Sequence, residues 1–125
     1  MKRFAACLAV AVCISFLAPV AQGALRFAVI DGTNGKILST DLAANDLKVT
    51  RTGAGSYTLT FKFNILFFMG NVQAGGPGGD ATSMIFTSVY DTKTKKIVYV
   101  TTYGVAAKSP VLDPMDGRIT ILVNK

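Results

Sequence analysis

Residues 24–125 alternate between apolar and polar positions in short runs, and turn residues separate these runs. A period of two is typical of β-strands, in which successive side chains point to opposite faces of a sheet. Seven segments fit this pattern, and together they predict an all-β domain, an antiparallel β-sandwich of about seven strands. The segments are Arg26–Ile30, Lys36–Ser39, Leu47–Thr52, Ser56–Phe68, Met84–Tyr90, Ile97–Tyr103 and Arg118–Asn124.

Short turns join most of these strands into hairpins. The sequence DGTNG begins at Asp31, GAG occupies Gly53 to Gly55, and DTKTKK begins at Asp91. Gly, Asn and Asp tolerate the backbone conformations that such turns require. Two longer connections interrupt the series: residues 70–83 are rich in glycine, and residues 104–117 contain two prolines.

The predicted strand Ser56–Phe68 is the longest of the seven. Its odd-numbered positions, which include Tyr57 and Phe61, are apolar throughout, and we expect them to form core rather than a surface for stacking ligands. Its even-numbered positions are polar until Leu66 and Phe68. The glycine-rich connection, another strand or another chain must cover these two side chains. We expect Leu66 and Phe68 to lie in or beside a contact between copies of the domain.

Residues 1–23 have the features of a secretory signal peptide. Two basic residues precede the apolar stretch Phe4–Ala18, which is short for a membrane span, and a proline and small residues follow it. A cut before Ala24 fits these features best, and an uncleaved anchor is the alternative. The sequence therefore predicts export to the periplasm or the extracellular space, one domain over residues 24–125, and no transmembrane segment after cleavage.

Removal of this leader changes the chemistry available to the domain. Both cysteines, Cys7 and Cys13, leave with it, and the loss of two bases lowers the net charge from +6 to +4. The remaining domain has no Cys, His or Trp. It therefore lacks a thiol nucleophile and the commonest general base and metal ligand. We predict that it is not an enzyme, holds no cofactor or metal, and binds no nucleic acid, since its bases are scattered.

Two acidic motifs have the spacing of cation sites but are explained by turn chemistry. GGPGGDATS, from Gly75 to Ser83, follows the calcium-binding nonapeptide except at Thr82, and it occurs once although that architecture stacks repeats. DPMDG, from Asp113 to Gly117, offers two carboxylates where calcium needs six to eight ligands. We expect a flexible loop and a tight turn.

Three lysines, Lys93, Lys95 and Lys96, lie together in the DTKTKK turn. Such a cluster is suited to an anionic surface such as lipid headgroups or acidic glycans. The sequence favours the simpler interpretation, a solvated hairpin tip that also discourages strand pairing.

The runs AVIDGTNGKILST, LKVTRTGAGSYTLTF, VYVTTY and ITILV resemble a type of small secreted bacterial β-domain with the pattern V-x-x-x-G-x-G-x-Y-x-V-x-F. The resemblance spans most of residues 27–123 and implies fold more than function, because its motif consists of turn and core residues and the type has no assigned activity. The positions that match the pattern of the secreted β-domain are Val49, Gly53, Gly55, Tyr57, Leu59 and Phe61. A fainter resemblance is to the trimeric globular heads of collagen-like proteins.

These observations favour an exported, non-catalytic structural or interaction module of the bacterial periplasm or cell surface. Its expected partner is a second copy of itself or another exported protein. The alternative is a small ligand-binding or inhibitor domain that uses the connections at residues 70–83 and 104–117. The two differ in a measurable way, since the first should associate through an apolar face and the second should be monomeric.

Overall fold

A computed structural model describes residues 24–74, 81–106 and 111–125. Within these ranges the chain forms nine strands and no helix, so the predicted all-β class is confirmed. The predicted signal peptide lies outside the described residues. The strands are β1 (Leu25–Asp31), β2 (Lys36–Thr40), β3 (Leu47–Gly53), β4 (Ser56–Phe61), β5 (Phe67–Gln73), β6 (Ala81–Tyr90), β7 (Ile97–Ala106), β8 (Leu112–Pro114) and β9 (Arg118–Asn124).

The nine strands form two antiparallel sheets. The first sheet has the order β2-β1-β9-β5, and the second has the order β3-β4-β7-β6. The short strand β8 pairs with β7 beyond the last residue that β4 pairs, so β4 and β8 share one edge of β7. One hydrophobic core contains residues from both sheets, an arrangement consistent with a β-sandwich.

The core follows the alternation of the strands that face it. In β9, Ile119, Ile121 and Val123 are fully buried, as their period of two predicts. Tyr57 and Phe61 of β4 are only 1% and 2% exposed, which confirms their predicted place in the core. The other fully buried apolar side chains come from β1, β4 and β7; they are Ala28, Ile30, Leu59, Val98 and Val100.

The prediction of a single strand over Ser56–Phe68 is wrong. The strand β4 ends at Phe61, and β5 begins at Phe67 in the other sheet. Residues 62–66, which we term the crossover, carry the chain between the two sheets. The inward positions are odd-numbered in β4 and even-numbered in β5, but the outward residues Phe67 and Met69 of β5 are also apolar. The series of odd-numbered apolar residues therefore continues past the crossover and hides the change of sheet from a reading of the sequence.

Backbone hydrogen bonds connect the last two residues of the crossover to the two sheets. Ile65 N donates to Lys95 O of the β6–β7 turn at 2.8 Å, and Leu66 N donates to Asn124 O of β9 at 3.0 Å. We term this end of the domain the crossover end; β1, β5 and β7 begin there, and β4, β6 and β9 end there. The β1–β2 and β3–β4 turns lie at the opposite end, termed the far end.

Nine strands form where seven were predicted, because the predicted strand Ser56–Phe68 divides into β4 and β5 and because β8 lies in the second predicted connection. Strands also extend into both connections. In the first connection β5 continues to Gln73 and β6 begins at Ala81. In the second connection, β7 continues to Ala106, and β8 pairs with residues 103–105 of β7. Residues 75–80 and 107–110 lie outside the described ranges, and with them lies most of the calcium-like nonapeptide.

Candidate interaction surface

The outer face of the first sheet changes from apolar to polar along its strands. Pairing of β1, β9 and β5 aligns the outward residues in four cross-strand rows. The two rows nearest the crossover end contain five apolar residues and one Asn, whereas the row at the far end is wholly polar. In order from the crossover end, the rows are Leu25–Asn124–Phe67, Phe27–Leu122–Met69, Val29–Thr120–Asn71 and Asp31–Arg118–Gln73.

Six apolar side chains on three adjacent strands therefore form one patch, which we term the apolar band. Leu25 is 57% exposed, Phe67 46% and Met69 51%, and the other three members are half-buried. A single exposed apolar residue is ordinary, but a contiguous patch on a sheet face is typical of a contact site. The band consists of Leu25, Phe27, Val29, Phe67, Met69 and Leu122.

One polar residue lies within the band, between Leu25 and Phe67. The Oδ1 atom of Asn124 is buried there and has no hydrogen-bond partner among the described residues. An acceptor in this position is costly unless a donor reaches it. It therefore marks the crossover end of the band as a place where the isolated domain leaves a polar group unsatisfied.

The two predicted interface residues, Leu66 and Phe68, do not share a face. Leu66 lies in the crossover and is 73% exposed. Phe68 points between the sheets, where its ring lies 6.5 Å from the ring of Phe61 and 6.3 Å from that of Phe86. The alternation that placed Leu66 and Phe68 together is interrupted by the crossover, and the outward position in β5 belongs to Phe67.

Apolar residues at outward positions of β1 and β9 indicate the apolar band in the sequence, but each strand considered alone does not reveal it. In β1 the residues from Phe27 to Ile30 are apolar on both faces, and Leu122 interrupts the polar face of β9. Neither irregularity by itself indicates a patch. The pairing of β1 and β5 on either side of β9 places Leu122 between Phe27 and Met69 and so joins these residues into one surface.

A second cluster of polar side chains lies at the far end, around Asp116. Its carboxylate accepts hydrogen bonds from Arg51 Nη2 at 2.7 Å, from Gly55 N at 2.8 Å and from the Tyr57 hydroxyl at 2.6 Å. The Tyr57 oxygen also lies 2.9 Å from the carbonyl oxygen of Gly32 in the first sheet. These contacts join the β3–β4 hairpin, the β1–β2 turn and the segment before β9.

The electrostatics of this cluster indicate a structural role. Burial acts to raise the pKa of Asp116, but the hydrogen bonds from Arg51, Gly55 and Tyr57 outweigh it and hold the pKa below its usual value. Burial, together with the hydrogen bond and charge of Asp116, raises the pKa of Tyr57. The hydroxyl therefore stays protonated and the carboxylate stays ionised, so neither group is prepared to exchange a proton near neutral pH.

The tight turn predicted for Asp113–Gly117 is not observed, because Asp113 and Pro114 belong to β8 and residues 115–117 lead from it to β9. Two other predicted motifs do occupy turns. The Asp31 carboxylate accepts hydrogen bonds from the backbone N–H and the hydroxyl of Thr33 within the β1–β2 turn. The Asp91 carboxylate accepts hydrogen bonds from Lys93 N and from the Thr94 hydroxyl within the β6–β7 turn. The lysine cluster therefore lies on a hairpin tip, as predicted. Among the described residues, no group of three or more His, Cys, Asp or Glu side chains is placed to hold a metal ion.

Comparison of the chain with family models, curated proteins and solved structures found no match. The described part of the chain contains no helix with the length and hydropathy of a membrane span.

Proposed function

We propose that this chain is an exported, non-catalytic interaction module of the bacterial periplasm or cell surface, and that it associates with itself through the apolar band. The observation that supports this proposal is the band itself: six apolar residues aligned on three neighbouring strands, with about half of the Leu25, Phe67 and Met69 surfaces open to solvent. The leader at residues 1–23 supports export, because it has the three parts of a signal peptide.

The energetics of the band favour a contact with another protein. A fully buried Leu, Met or Phe side chain contributes about 1.5–3 kcal/mol, so three half-exposed ones contribute about 2–4 kcal/mol when they are covered. A stable interface needs an area of at least about 1,000 Å². The band would therefore be its centre, and the polar row of Asp31, Arg118 and Gln73 would lie toward its rim.

A second copy of the chain is the partner that this surface fits most simply. A twofold contact places the same patch on both sides, so the patch must be complementary to itself. An apolar patch meets that condition without matched charges. A contact between different exported proteins is the alternative outcome, and it would leave the purified chain monomeric.

Light scattering on the protein recovered after export of the full chain tests the proposal. We expect a dimer or larger species at high micromolar concentration, and a shift toward monomer in Met69→Lys, which places a charge in the middle of the band. Thr50→Lys is the matched control, because Thr50 is an exposed residue of β3 in the second sheet, away from the band. A wild-type protein that stays monomeric, or two variants that behave alike, would overturn self-association through the band.

N-terminal sequencing of the same material tests export. We expect the mature protein to begin between Gln22 and Leu25, because the small residues there fit a cleavage site. Recovery of the intact chain from membranes, with Met1 still present, would contradict this part of the proposal.

A further inference from the structure

The crossover end of the domain carries most of its positive charge. Seven basic residues lie there, against three aspartates. The aspartates are all engaged: Asp41 with Arg26, Asp46 with Lys125, and Asp91 within its own turn. The seven bases are Arg26, Lys48, Lys62, Lys93, Lys95, Lys96 and Lys125.

Five of these bases have no salt-bridge partner among the described residues, and all five are exposed. They are Lys48 near the start of β3, Lys62 of the crossover and the three lysines of the β6–β7 turn. The turn and the adjacent crossover carry four lysines against one carboxylate, that of Asp91, so this region has a net positive charge and a local positive potential. At the far end, by comparison, Arg51 is paired with Asp116, and two bases among the described residues, Lys36 and Arg118, have no salt bridge.

An exposed apolar side chain lies next to the lysine turn. Leu66 is 73% exposed, and its N–H donates to Asn124 O, next to Lys125. The N–H of the preceding residue, Ile65, donates to Lys95 O of the lysine turn. Lysines beside an exposed Leu combine the two features that interfacial membrane binding requires, apolar insertion and attraction to anionic headgroups.

We propose that the crossover end docks on an anionic phospholipid surface, with Leu66 inserted at the level of the headgroups and the lysines of the β6–β7 turn and Lys62 on the lipid phosphates. Lysine suits this position because its apolar stem lies along the hydrocarbon boundary while its ammonium group stays with the headgroups. An acidic protein would match the charge, but it would offer no apolar layer for a protruding Leu66. The lipid surface satisfies both features together.

This docking goes beyond the proposed self-association and uses a different surface. The apolar band faces sideways from the first sheet, whereas Leu66 and the lysine turn lie at the end of the domain where the chain passes between the sheets. A copy bound on the band therefore leaves the lysine turn open. The two ideas can fail separately, since one is measured as mass in solution and the other as partition onto vesicles.

Sedimentation with lipid vesicles tests the docking on the exported protein at submicromolar concentration. We expect binding to vesicles in which about a third of the lipid is phosphatidylglycerol and little binding to phosphatidylcholine alone. Raising the salt from about 50 to about 300 mM should weaken the binding, because the lysines are exposed and screened. Binding that is absent at low salt, or equal on both kinds of vesicle, would overturn the proposal.

Two pairs of matched variants locate the contact. The double variant Lys93→Gln, Lys96→Gln should lower the partition coefficient onto anionic vesicles about 25-fold, because each lysine near the surface contributes about fivefold. Lys36→Gln with Arg118→Gln removes the same charge at the far end and should have little effect. Leu66→Ser should weaken binding about tenfold, whereas Leu38→Ser, at a 50% exposed leucine of β2, should not.

These controls decide between docking and non-specific attraction. Equal losses in the two charge variants would show that net charge alone drives the binding, and an unchanged Leu66→Ser would show that nothing inserts; either result overturns the proposal. Thermal melts of all variants confirm that they are folded. Binding to an immobilised acidic polypeptide but not to vesicles would instead identify the partner as an acidic protein and would also overturn lipid docking.

Discussion

The hydroxyl of Tyr57 donates a hydrogen bond to Asp116 Oδ1 over 2.6 Å, although the two residues lie 59 positions apart in the chain. The ring of Tyr57 is buried in the shared core, and its oxygen also lies 2.9 Å from Gly32 O of the other sheet. This pair therefore connects the core to the turns of the far end. It stabilises the far end with polar contacts, whereas the crossover end presents apolar and basic side chains.

Removal of the Asp116 carboxylate should destabilise the domain. Asp116→Ala leaves the Gly55 N–H, the Tyr57 hydroxyl and Arg51 without their acceptor, and we expect a loss of about 1–3 kcal/mol in the free energy of unfolding. Tyr57→Phe should cost about 1–2 kcal/mol, because it keeps the ring and removes one hydroxyl. Urea unfolding of both single variants and the double variant gives their coupling. Additive losses would contradict a direct interaction.

The lowered pKa of Asp116 predicts a loss of stability in acid. A carboxyl group whose pKa is lower in the folded state stabilises the fold above its unfolded pKa, and this stability disappears as the pH falls through the folded value. We therefore expect the melting temperature of the wild type to fall below about pH 4. In Asp116→Asn the fall should be shallower. It should not vanish, because exposed Asp31 and Asp91 also have lowered pKa values.

Equal acid sensitivity of the wild type and Asp116→Asn would contradict this assignment. Asp113→Asn is the matched control, since Asp113 lies three residues earlier in the same connection and is exposed. Its melting temperature should follow that of the wild type across the same pH range.

The sequence was sufficient to predict the class of the fold and most of its core. Period-two alternation identified the buried side of β9 and the core positions Tyr57 and Phe61, because a strand with one dry face requires that pattern. It failed between Phe61 and Phe67, where the chain changes sheets. Apolar residues are needed on both sides of that change, so the local pattern contains no break.

The candidate surfaces depend on contacts between distant segments, which a single sequence does not display. The lysine turn was visible as a cluster, but its position beside Leu66 follows from the hydrogen bond between Ile65 N and Lys95 O. The role of Asp116 was likewise hidden. Turn chemistry explained its presence in DPMDG, and nothing nearby in the chain indicates that it meets Tyr57.

Gly70 should be intolerant of a side chain because the two sheets approach closely at that point. A Cβ atom on Gly70 would lie 2.5 Å from Cζ of Phe86, whose ring stacks on Phe68 between the sheets. We expect Gly70→Ala to destabilise the domain by about 1–3 kcal/mol, as overpacking does. Phe86→Leu should partly rescue Gly70→Ala while being destabilising alone. Absence of rescue in thermal melts of the double variant would show that the contact is not limiting.

The adjacent residues Phe67 and Phe68 offer the sharpest test of the crossover. A single strand over Ser56–Phe68 would bury Phe67 and expose Phe68, whereas the change of sheet reverses their places: Phe67 is 46% exposed and Phe68 packs against Phe61 and Phe86. Truncating a fully buried Phe costs about 3–5 kcal/mol. Because Phe68 is only half-buried, we expect Phe68→Ala to cost about 2–3 kcal/mol and Phe67→Ala less than about 1 kcal/mol.

Urea unfolding at low micromolar concentration measures these losses without a contribution from self-association, and Phe61→Ala serves as the buried reference. The same two variants separate fold from function, because Phe67 belongs to the apolar band and Phe68 does not. Phe67→Ala should therefore reduce the mass in solution at high concentration while the domain stays folded. A larger loss of stability in Phe67→Ala than in Phe68→Ala would contradict the crossover, and the assignment of the outer face of β5 would fail with it.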